Sequence, residues 1–447
     1  MTSRRDFLKK AAMATAALSV GQLASGLTTV RGNRVSGASD LIRVGVFGVN
    51  SRGLALASSF AKMPLCEVTC LCDCDANALE RCQAQIYKQT GKMPKGFRDI
   101  RKMMEWKDFD VAVIAMPDHW HAAAGVMALQ AGKHVYLEKP TSYCPAENEL
   151  LLKAAAISGK VITAGNQRRS WPNVIAAINA VKDGTIGEVR YAKSWYSNNR
   201  PSIGRGKEVP VPTHLDWDLW QGPAPRRPFH DNYVHYNWHW FHHWGTGEAL
   251  NNGTHFVDIL RWGLGVDYPT LVTSVGGRFR YEDDWEFPDT QMITFQFGDR
   301  AAGSWEGRSC NSTLTDGFGV GVAFYGENGT VLLGGGNEYK LLDMKGEVIR
   351  HVSSADLTFE PGNLVNPSEK LDQIHFQNFF DAIRLGTRLN SDILNACIST
   401  QLVQLGNIAQ RTGTALHIDP STGRIIGNPE AQKLWTRDYE PGWEIRI

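Results

Sequence analysis

The first part of the chain alternates short apolar runs with longer stretches of helical character. Five apolar runs rich in β-branched residues lie at 41–49, 67–73, 110–116, 134–139 and 160–165. The helix-like segments between most of them are about 10–15 residues long, which is the spacing of βαβ units. Continuous apolar runs are typical of parallel strands that are buried on both faces. This part of the chain therefore predicts a parallel sheet covered by helices.

From residue 166 onward the pattern changes to the alternating strands of a second sheet. The alternating segments are 188–197, 272–282, 289–297, 303–309 and 321–335. Residues 199–234 are rich in proline and have no regular period, and a loop of this length is usually functional. The whole chain is therefore predicted to be an α/β protein with two domains.

The turn after the first strand, GVNSRG, is a candidate phosphate-binding turn. The dinucleotide-binding pattern is G-x-G-x-x-G, and Asn50 stands at its middle position here. Gly48 still permits the tight turn, Gly53 permits the close approach of helix and strand, and Asn tolerates positive φ. With Ser51 and Arg52, these residues form a feasible phosphate cradle at the start of a helix.

Asp73 ends the second predicted strand, about 20 residues beyond Gly53. A carboxylate at this place accepts hydrogen bonds from the adenosine ribose hydroxyls and would repel a 2′-phosphate. The nucleotide is therefore expected to be NAD rather than NADP. The alternative is an aspartate that only caps the following helix.

Polar residues also follow the third and fourth predicted strands. They are Pro117, Asp118, His119 and His121 in MPDHWHA, and Glu138 and Lys139 in EKP. Ligands bind in the crevice beyond the carboxyl ends of parallel strands, so these residues are predicted to face the nicotinamide ribose. Lys139 could hydrogen-bond both a ribose hydroxyl and a substrate hydroxyl. The alternative for Lys139 is an ordinary surface lysine.

Six short motifs, in this order, resemble those of the Gfo/Idh/MocA oxidoreductases, named for glucose–fructose oxidoreductase and inositol dehydrogenase. The motifs are GVNSRG, Cys72-Asp73, PDHWHA, EKP, GNQRR and GTGEALNNGTHFVDILRW. The resemblance implies an N-terminal Rossmann dinucleotide-binding domain and a C-terminal α/β domain with an open, mostly antiparallel or mixed sheet. It also implies homo-oligomers formed through that sheet, and substrates that are sugars, cyclitols or other carbohydrate derivatives.

The resemblance also implies the catalytic residues. The family combines the EKP lysine with a D-x-x-x-H pair, and these positions match Lys139 and His255. Asn251 stands at the aspartate position, so it could orient the imidazole but would supply no charge. His255 is therefore expected to be a weaker base with a lower pKa. In the expected reaction His255 removes a hydroxyl proton and Lys139 stabilises the developing alkoxide.

The segment GNQRRSWP supplies candidate substrate contacts at the start of the second domain. Arg168 or Arg169 could bind substrate hydroxyls or a carboxylate, and the alternative is a structural salt bridge. Trp171 is a further candidate contact.

Residues 229–255 hold six of the 13 histidines and three of the 14 tryptophans. His235, His239 and His243 recur at i, i+4 and i+8, so a helix would place them on one face. A zinc helix normally has the pattern H-E-x-x-H with a third ligand, which is missing, and no metal is predicted. A structural aromatic segment is one alternative. A sugar-binding wall fits the composition better, with Tyr236, His239 and Trp240 as the expected contacts.

Length and charge bound the remaining possibilities. At 447 residues the chain is too long for one typical core, and its net charge of +1 gives no electrostatic footprint for nucleic acid. The predicted domains are a signal and linker at 1–39, the Rossmann domain at 40–165, the substrate and oligomerisation domain at 166–430, and a tail at 431–447.

Cys70, Cys72 and Cys74 are expected on one face of the second strand as buried apolar residues.

The N-terminus resembles a twin-arginine export signal. SRRDFLKK precedes an Ala-rich, moderately apolar run that is too short to be a comfortable membrane span. We expect recognition by the twin-arginine translocation machinery and a periplasmic or otherwise exported protein. The alternative is a basic amphipathic tail.

The sequence thus predicts a nicotinamide-dependent oxidoreductase that acts on a hydroxyl or carbonyl group of a sugar, cyclitol or glycoside. Two alternatives remain open. One is an NAD-dependent glycoside hydrolase or lyase that oxidises its substrate transiently and retains the cofactor. The other is a non-catalytic sugar-binding homologue.

Overall fold

The computed structural model describes residues 40–353 and 369–447, so the predicted export signal at 1–39 lies outside the described residues. The first sheet has six parallel strands in the order β3-β2-β1-β4-β5-β6. Its strands are β1 (Ile42–Phe47), β2 (Cys66–Cys72), β3 (Lys95–Phe97), β4 (Val111–Ile114), β5 (His134–Leu137) and β6 (Ile162–Ala164). This is the strand order of a Rossmann domain, and the predicted parallel sheet is confirmed.

Five helices follow the strands of this sheet. They are α1 (Arg52–Phe60), α2 (Ala76–Thr90), α3 (Ile100–Glu105), α4 (Asp118–Gln130) and α5 (Pro145–Ser158). Capping residues fix both ends of α2. At its start, the Asp75 carboxylate accepts hydrogen bonds from the N–H groups of Asn77 and Ala78. Gly91, with a φ of 73°, ends the same helix.

The second sheet has ten strands in the order β14-β13-β12-β11-β7-β10-β9-β8-β15-β16. Its strands are β7 (Val189–Ser197), β8 (Leu271–Gly277), β9 (Thr290–Phe297), β10 (Ala301–Arg308), β11 (Val320–Gly326), β12 (Gly329–Leu333), β13 (Glu338–Leu342), β14 (Val348–Ser353), β15 (Leu416–Ile418) and β16 (Ile425–Ile426). β7 and β10 pair in parallel and the other neighbours are antiparallel. The sheet is therefore mixed, as expected for the C-terminal α/β domain.

Six helices accompany the second sheet. They are α6 (Pro172–Lys182), α7 (Trp217–Gln221), α8 (Thr254–Leu264), α9 (Glu369–Leu385), α10 (Ile393–Thr412) and α11 (Pro429–Lys433). Residues of α6, α8 and α10 share one core with the inward-facing side chains of the sheet. Helix α9 returns to the Rossmann sheet, where Phe376 stacks on Phe60 with ring centroids 4.1 Å apart. None of the helices in the described ranges is long and apolar enough to cross a lipid bilayer.

The cysteines are all free thiols. Cys70 and Cys72 are buried in β2 and belong to one core cluster. Cys74 differs from the prediction, because β2 ends at Cys72 and leaves Cys74 half-buried in the following turn.

The proline-rich segment 199–234 contains only one short helix, α7, which begins after the Asp216 cap. Its aromatic residues join those of the next segment in one cluster, where Trp217 stacks on Trp220 and meets Trp244 edge to face. Part of the aromatic stretch is therefore a core of its own. This core holds an otherwise irregular segment in place.

A buried ion pair connects the start of the second domain to its central helices. Arg169 donates two hydrogen bonds to Asp258, at 2.7 and 2.8 Å, and the Ser399 hydroxyl donates a third at 2.6 Å. Burial alone would raise the pKa of Asp258, but the charge and hydrogen bonds of Arg169 outweigh it and lower that pKa. Asp258 is therefore a charged group on which the packing of α8 and α10 depends.

Replacing Asp258 by Ala is expected to lower the free energy of unfolding by about 3–5 kcal/mol, because Arg169 would stay buried without its counter-ion. Denaturation in urea measures the change. The matched control is Glu188→Ala, since Glu188 pairs with Arg190 where both side chains are more than half exposed, and such a pair contributes about 1 kcal/mol or less. Equal stability of the two variants would contradict a structural role for the buried pair.

Candidate active site

A cavity of about 520 Å³ lies beyond the carboxyl ends of the Rossmann strands. Its opposite wall comes from the end of β7, the irregular segment and the start of α8. Fifteen of the predicted site residues line it: Gly48, Asn50, Ser51, Arg52, Asp73, Pro117, Asp118, His121, Glu138, Lys139, Arg168, Tyr236, His239, Asn251 and His255. Sequence motifs that are distant along the chain therefore meet in one site.

The turn between β1 and α1 has the tight geometry of a phosphate-binding turn. Gly48 has a φ of 75°, and a Cβ atom there would lie 2.7 Å from the carbonyl oxygen of Ala115. A Cβ atom at Gly53 would lie 1.7 Å from the carbonyl oxygen of Gly48, so helix and turn can pack only without it. Asn50 replaces the middle glycine, and its side-chain oxygen accepts from Arg81.

Asp73 lies at the end of β2 and its carboxylate faces the same turn. It accepts hydrogen bonds from the backbone N–H groups of Val49, at 2.8 Å, and Asp75, at 2.9 Å. Burial raises the pKa of Asp73, and these two N–H groups oppose the rise. The tight turn and a carboxylate at the end of the second strand together fit a dinucleotide.

Asp75, two residues further on, ties the irregular segment to the Rossmann domain. Its carboxylate bonds the ring nitrogens of His235, at 2.7 Å, and His214, at 3.1 Å. It also caps α2. The second wall of the cavity is therefore attached beside the predicted ribose-binding carboxylate.

Arg52 is held by two carboxylates. Its Nε donates to Glu138 at 2.9 Å, and its Nη1 donates to Asp372 of α9 at 2.8 Å. Glu138 in turn packs on Gly165, where a Cβ atom would lie 2.8 Å from Oε2. This network fixes the end of β5 immediately before Lys139.

The residues that follow β4 separate into two groups. Pro117, Asp118 and His121 line the cavity, and Asp118 accepts a hydrogen bond from the Thr246 hydroxyl. His119 does not line it, which corrects the prediction that it faces the cofactor. Its side chain is buried and its Nε2 lies 3.1 Å from the carbonyl oxygen of Trp220. It serves to anchor the end of α7.

Lys139 contacts the turn that carries Asn251. Its Nζ donates to the Asn251 carbonyl oxygen at 2.7 Å, and Oδ1 of the same residue lies at 3.5 Å. Asn251 belongs to a π-helical turn, Ala249–Gly253, a type of turn often found at functional sites. Burial lowers the pKa of Lys139, and the carboxylates of Glu138 and Asp118 oppose that shift.

His255 begins the next turn of the same helix and lines the cavity beside Lys139. Burial lowers the pKa of His255 well below its ordinary value, and the charges of Arg168 and Lys139 lower it further. Its Nδ1 is buried and has no hydrogen-bond partner in the described ranges. The expectation that Asn251 orients this ring is wrong, because the side chain of Asn251 instead lies 3.5 Å from both Glu248 and the Tyr236 hydroxyl.

Three predicted substrate contacts lie outside the lining of the cavity. Arg169 is used in the buried pair with Asp258, and Trp171 is fully buried in the core of the second domain. Trp240 stacks on Trp285 with ring centroids 3.9 Å apart and is also buried. Large aromatic rings gain more by burial than by lining a wet cavity, and the sequence pattern does not separate the two roles.

The structure adds lining residues that the sequence did not single out. Tyr196, Asn198, Arg200, Trp238 and Asn252 all line the cavity. No motif marked Arg200, which lies just beyond β7 and pairs with the buried Glu248. The sequence did contain a signal for Trp238, because it alternates with Trp240. Its ring stacks on that of His239, with centroids 3.6 Å apart.

The three regularly spaced histidines do not share a helix face. A 3₁₀ turn, Asn237–Trp240, lies where a helix would have placed them on one face. His235 bonds Asp75, His239 lines the cavity, and His243 lies 2.7 Å from the carbonyl oxygen of Pro225. Within residues 40–353 and 369–447, no group of three His, Cys, Asp or Glu side chains is arranged to hold a metal ion.

Two family models match the chain and together cover slightly more than half of it. Residues 42–166 match the oxidoreductase family with an NAD-binding Rossmann fold, and residues 194–299 match the C-terminal α/β domain of the same family. The chain belongs to the Gfo/Idh/MocA oxidoreductase family.

The curated relatives are more distant. The chain is 29% identical over 207 residues to glycosyl hydrolase family 109 protein 2 of Shewanella sp. (strain ANA-3), covering 43% of this chain and 45% of that protein. It is 28% identical over 209 residues to a glycosyl hydrolase family 109 protein of Saccharopolyspora erythraea, with the same coverage. The match thus spans less than half the length of these relatives.

Solved structures share the fold. A levoglucosan dehydrogenase in complex with NADH and levoglucosan superposes with a TM-score of 0.64 at 19% identity, over 84% of this chain and 99% of that chain. The WlbA dehydrogenase from Bordetella pertussis, in complex with NADH and UDP-GlcNAcA, gives a TM-score of 0.63 at 19% identity, over 85% and 99%.

The position of His255 predicts that its ring is neutral at pH 7. When the pH of a histidine-labelled sample is lowered from 8, the His255 ring signals are expected to shift at a lower pH than those of an exposed histidine, because burial disfavours the charged ring. NMR spectra recorded at each pH measure this, and His255→Asn assigns the signals by their loss. A midpoint near pH 6.5 would show that the ring is not desolvated.

Proposed function

We propose that the protein is a nicotinamide-dependent oxidoreductase that acts on a hydroxyl or carbonyl group of a sugar, cyclitol or glycoside. The observation that supports this most strongly is the meeting of Lys139 and His255 in the cavity that the β1–α1 turn and Asp73 also face. A bound nicotinamide nucleotide would supply the hydride acceptor or donor. The protein must then position the substrate carbon and move the hydroxyl proton.

The two side chains divide the proton chemistry. A neutral His255 accepts the proton of the substrate hydroxyl, and the Lys139 ammonium stabilises the alkoxide that develops. Reduction is the reverse, with His255 as the acid. Asn251 acts on Lys139, since both its carbonyl and its amide oxygen face Nζ. Tyr236 and His239 are proposed contacts for the sugar ring.

We propose NAD as the nucleotide, since a carboxylate at Asp73 favours a free ribose 2′-hydroxyl over a 2′-phosphate. Gly48, Asn50, Ser51, Arg52 and Gly53 would hold the phosphates, and Pro117, Asp118, His121, Glu138 and Lys139 would face the nicotinamide ribose. The end of β7 and the 235–239 segment, which line the opposite side of the cavity, would keep water from the reacting atoms.

The proposal predicts that Lys139→Ala and His255→Ala each lower turnover at least roughly a hundredfold, the usual contribution of a general acid or base. Turnover is measured on the sugar that gives the highest rate with the unaltered protein. Lys153→Ala and His417→Ala remove exposed residues of the same types and serve as controls with unchanged turnover. Near-normal rates in the two site variants would refute these roles.

The names of the curated relatives favour a second candidate, an NAD-dependent glycoside hydrolase. In that reaction the substrate is oxidised, loses its aglycone and is reduced again, so the nucleotide is regenerated. A non-catalytic sugar-binding protein is the remaining alternative, and the joint presence of Lys139, His255 and Asp73 in one cavity weighs against it.

Product analysis separates the two enzymatic reactions. The dehydrogenase is expected to accumulate reduced nucleotide in proportion to the sugar consumed, and the hydrolase to release aglycone with no net reduction. Absorbance at the nicotinamide band and chromatography of the products follow both quantities. Denaturing extraction of the purified protein identifies any retained nucleotide, and recovery of only the 2′-phosphorylated form would contradict NAD.

We also propose export by the twin-arginine machinery to the periplasm, supported by Arg4 and Arg5 before the Ala-rich run. Homo-oligomerisation through the second sheet is proposed because its open face exposes apolar side chains on adjacent strands. Val275 of β8 is paired with Met292 of β9, and the side chains are 61% and 49% exposed.

A further inference from the structure

Arg168 is a buried cation in the cavity that has no carboxylate partner. The residue is only 8% exposed, yet no acidic side chain in the described ranges lies within ion-pair distance of it. Its one hydrogen bond to a described residue goes from Nη2 to the carbonyl oxygen of Gly335, at 3.3 Å. A buried charge without a counter-ion is costly, and such a group is rarely retained for stability alone.

The guanidinium is held in a fixed orientation by aromatic rings. Its Cζ lies 4.8 Å from the ring centroid of Trp171 and 4.9 Å from that of Phe256. Nε is buried with no partner, and Nη1 makes no hydrogen bond to any described residue. Burial lowers the pKa of Arg168 to about 10, so it is still a cation at neutral pH.

Arg98 also lines the cavity, but it is exposed and donates to backbone carbonyl oxygens. The other buried or half-buried arginines around the site differ from Arg168 in having carboxylate partners. Arg52 bonds both Glu138 and Asp372, Arg169 bonds Asp258, and Arg200 bonds Glu248. The Asp372 carboxylate attracts Arg168 only at longer range, because it forms its ion pair with Arg52. Among the described residues, each of these neighbours thus has a carboxylate counter-ion and Arg168 has none.

Arg168 also lies on the side of the cavity where the reaction is proposed to occur. It contacts the ring of Phe256, the residue after His255, and its charge acts on the His255 ring. A group bound to Arg168 would therefore belong to the substrate rather than to the adenosine end of the nucleotide near Asp73.

We infer that Arg168 binds the carboxylate of an acidic sugar, so that the substrate is a uronic acid or a uronate-containing glycoside. The inference rests on the proposed function for the reaction at the neighbouring carbon, and it adds the substrate class. A planar guanidinium with unpaired N–H groups matches a planar carboxylate, and one cation neutralises one such charge. A phosphate monoester carries up to two charges, so a single guanidinium neutralises it less completely.

The experiment compares binding of matched sugars to the purified protein with its nucleotide. Glucuronate, galacturonate and mannuronate are each titrated by calorimetry beside the parent hexose and the hexose 6-phosphate. At least one uronate is expected to bind roughly tenfold or more tightly than its parent hexose. The inference is overturned if no uronate binds at millimolar concentration, if hexose and uronate bind equally, or if the phosphate binds best.

Variants then test the residue itself. Arg168→Met is expected to abolish the preference for the uronate while leaving binding of the parent hexose and of the reduced nucleotide unchanged. Arg168→Lys keeps the charge without the planar fork and is expected to retain a reduced preference, which gives a second reading if the Met variant is poorly folded. Arg190→Met removes an exposed arginine of β7 and serves as the matched control.

Two results would assign Arg168 a different role. Survival of the uronate preference in both variants means that another group binds the carboxylate. A parallel loss of nucleotide affinity means that Arg168 serves the cofactor. Binding is measured without turnover, so the two proposals can fail separately. If Lys139→Ala or His255→Ala keeps normal turnover while the preference for uronate persists, the proposed reaction is wrong and the substrate class still stands.

Discussion

The hydrogen bond from Lys139 Nζ to the Asn251 carbonyl oxygen, 2.7 Å long, joins the two halves of the cavity. Lys139 is placed by β5 and by the Arg52–Glu138 pair behind it, whereas Asn251 is placed by a π-helical turn packed on the second sheet. Gly253 permits that packing, because a Cβ atom there would lie 2.7 Å from the ring of Trp305. The geometry of the site therefore depends on how closely the Ala249–Gly253 turn packs on β10, the strand of Trp305.

Burial sets the charge state of the cavity more than any single contact does. Loss of water is the main cause that lowers the pKa of both Lys139 and His255; neighbouring carboxylates oppose the shift at Lys139, whereas neighbouring cations add to it at His255. Two adjacent arginines differ in their partners: Arg169 stabilises the second domain through Asp258, whereas Arg168 faces the cavity and has no counter-ion among the described residues. Both side chains are buried, so burial alone does not decide which of them is paired.

The Rossmann half was largely predictable because its buried parallel strands leave continuous apolar runs in the sequence. The short edge strand β3 was missed, since two of its three residues are exposed and leave no such run. In the second half, the histidine spacing is compatible with a helix, but tertiary contacts, among them the contact of His235 with Asp75, give a 3₁₀ turn instead. Trp240 was misplaced for a similar reason: its partner, Trp285, is remote in sequence and no local pattern reveals it.

The parallel pairing of β7 with β10 has a consequence for how the molecule folds. Neighbouring parallel strands need a crossover connection, and here that connection is the whole stretch from Asn198 to Arg300. Both Asn251 and His255 lie within it. This pairing is therefore highly non-local in sequence, and non-local pairing forms more slowly than a local hairpin such as that of β9 and β10. A fragment that stops short of β10 would contain every residue proposed to be catalytic and still lack the strand against which the helix of Asn251 and His255 is packed.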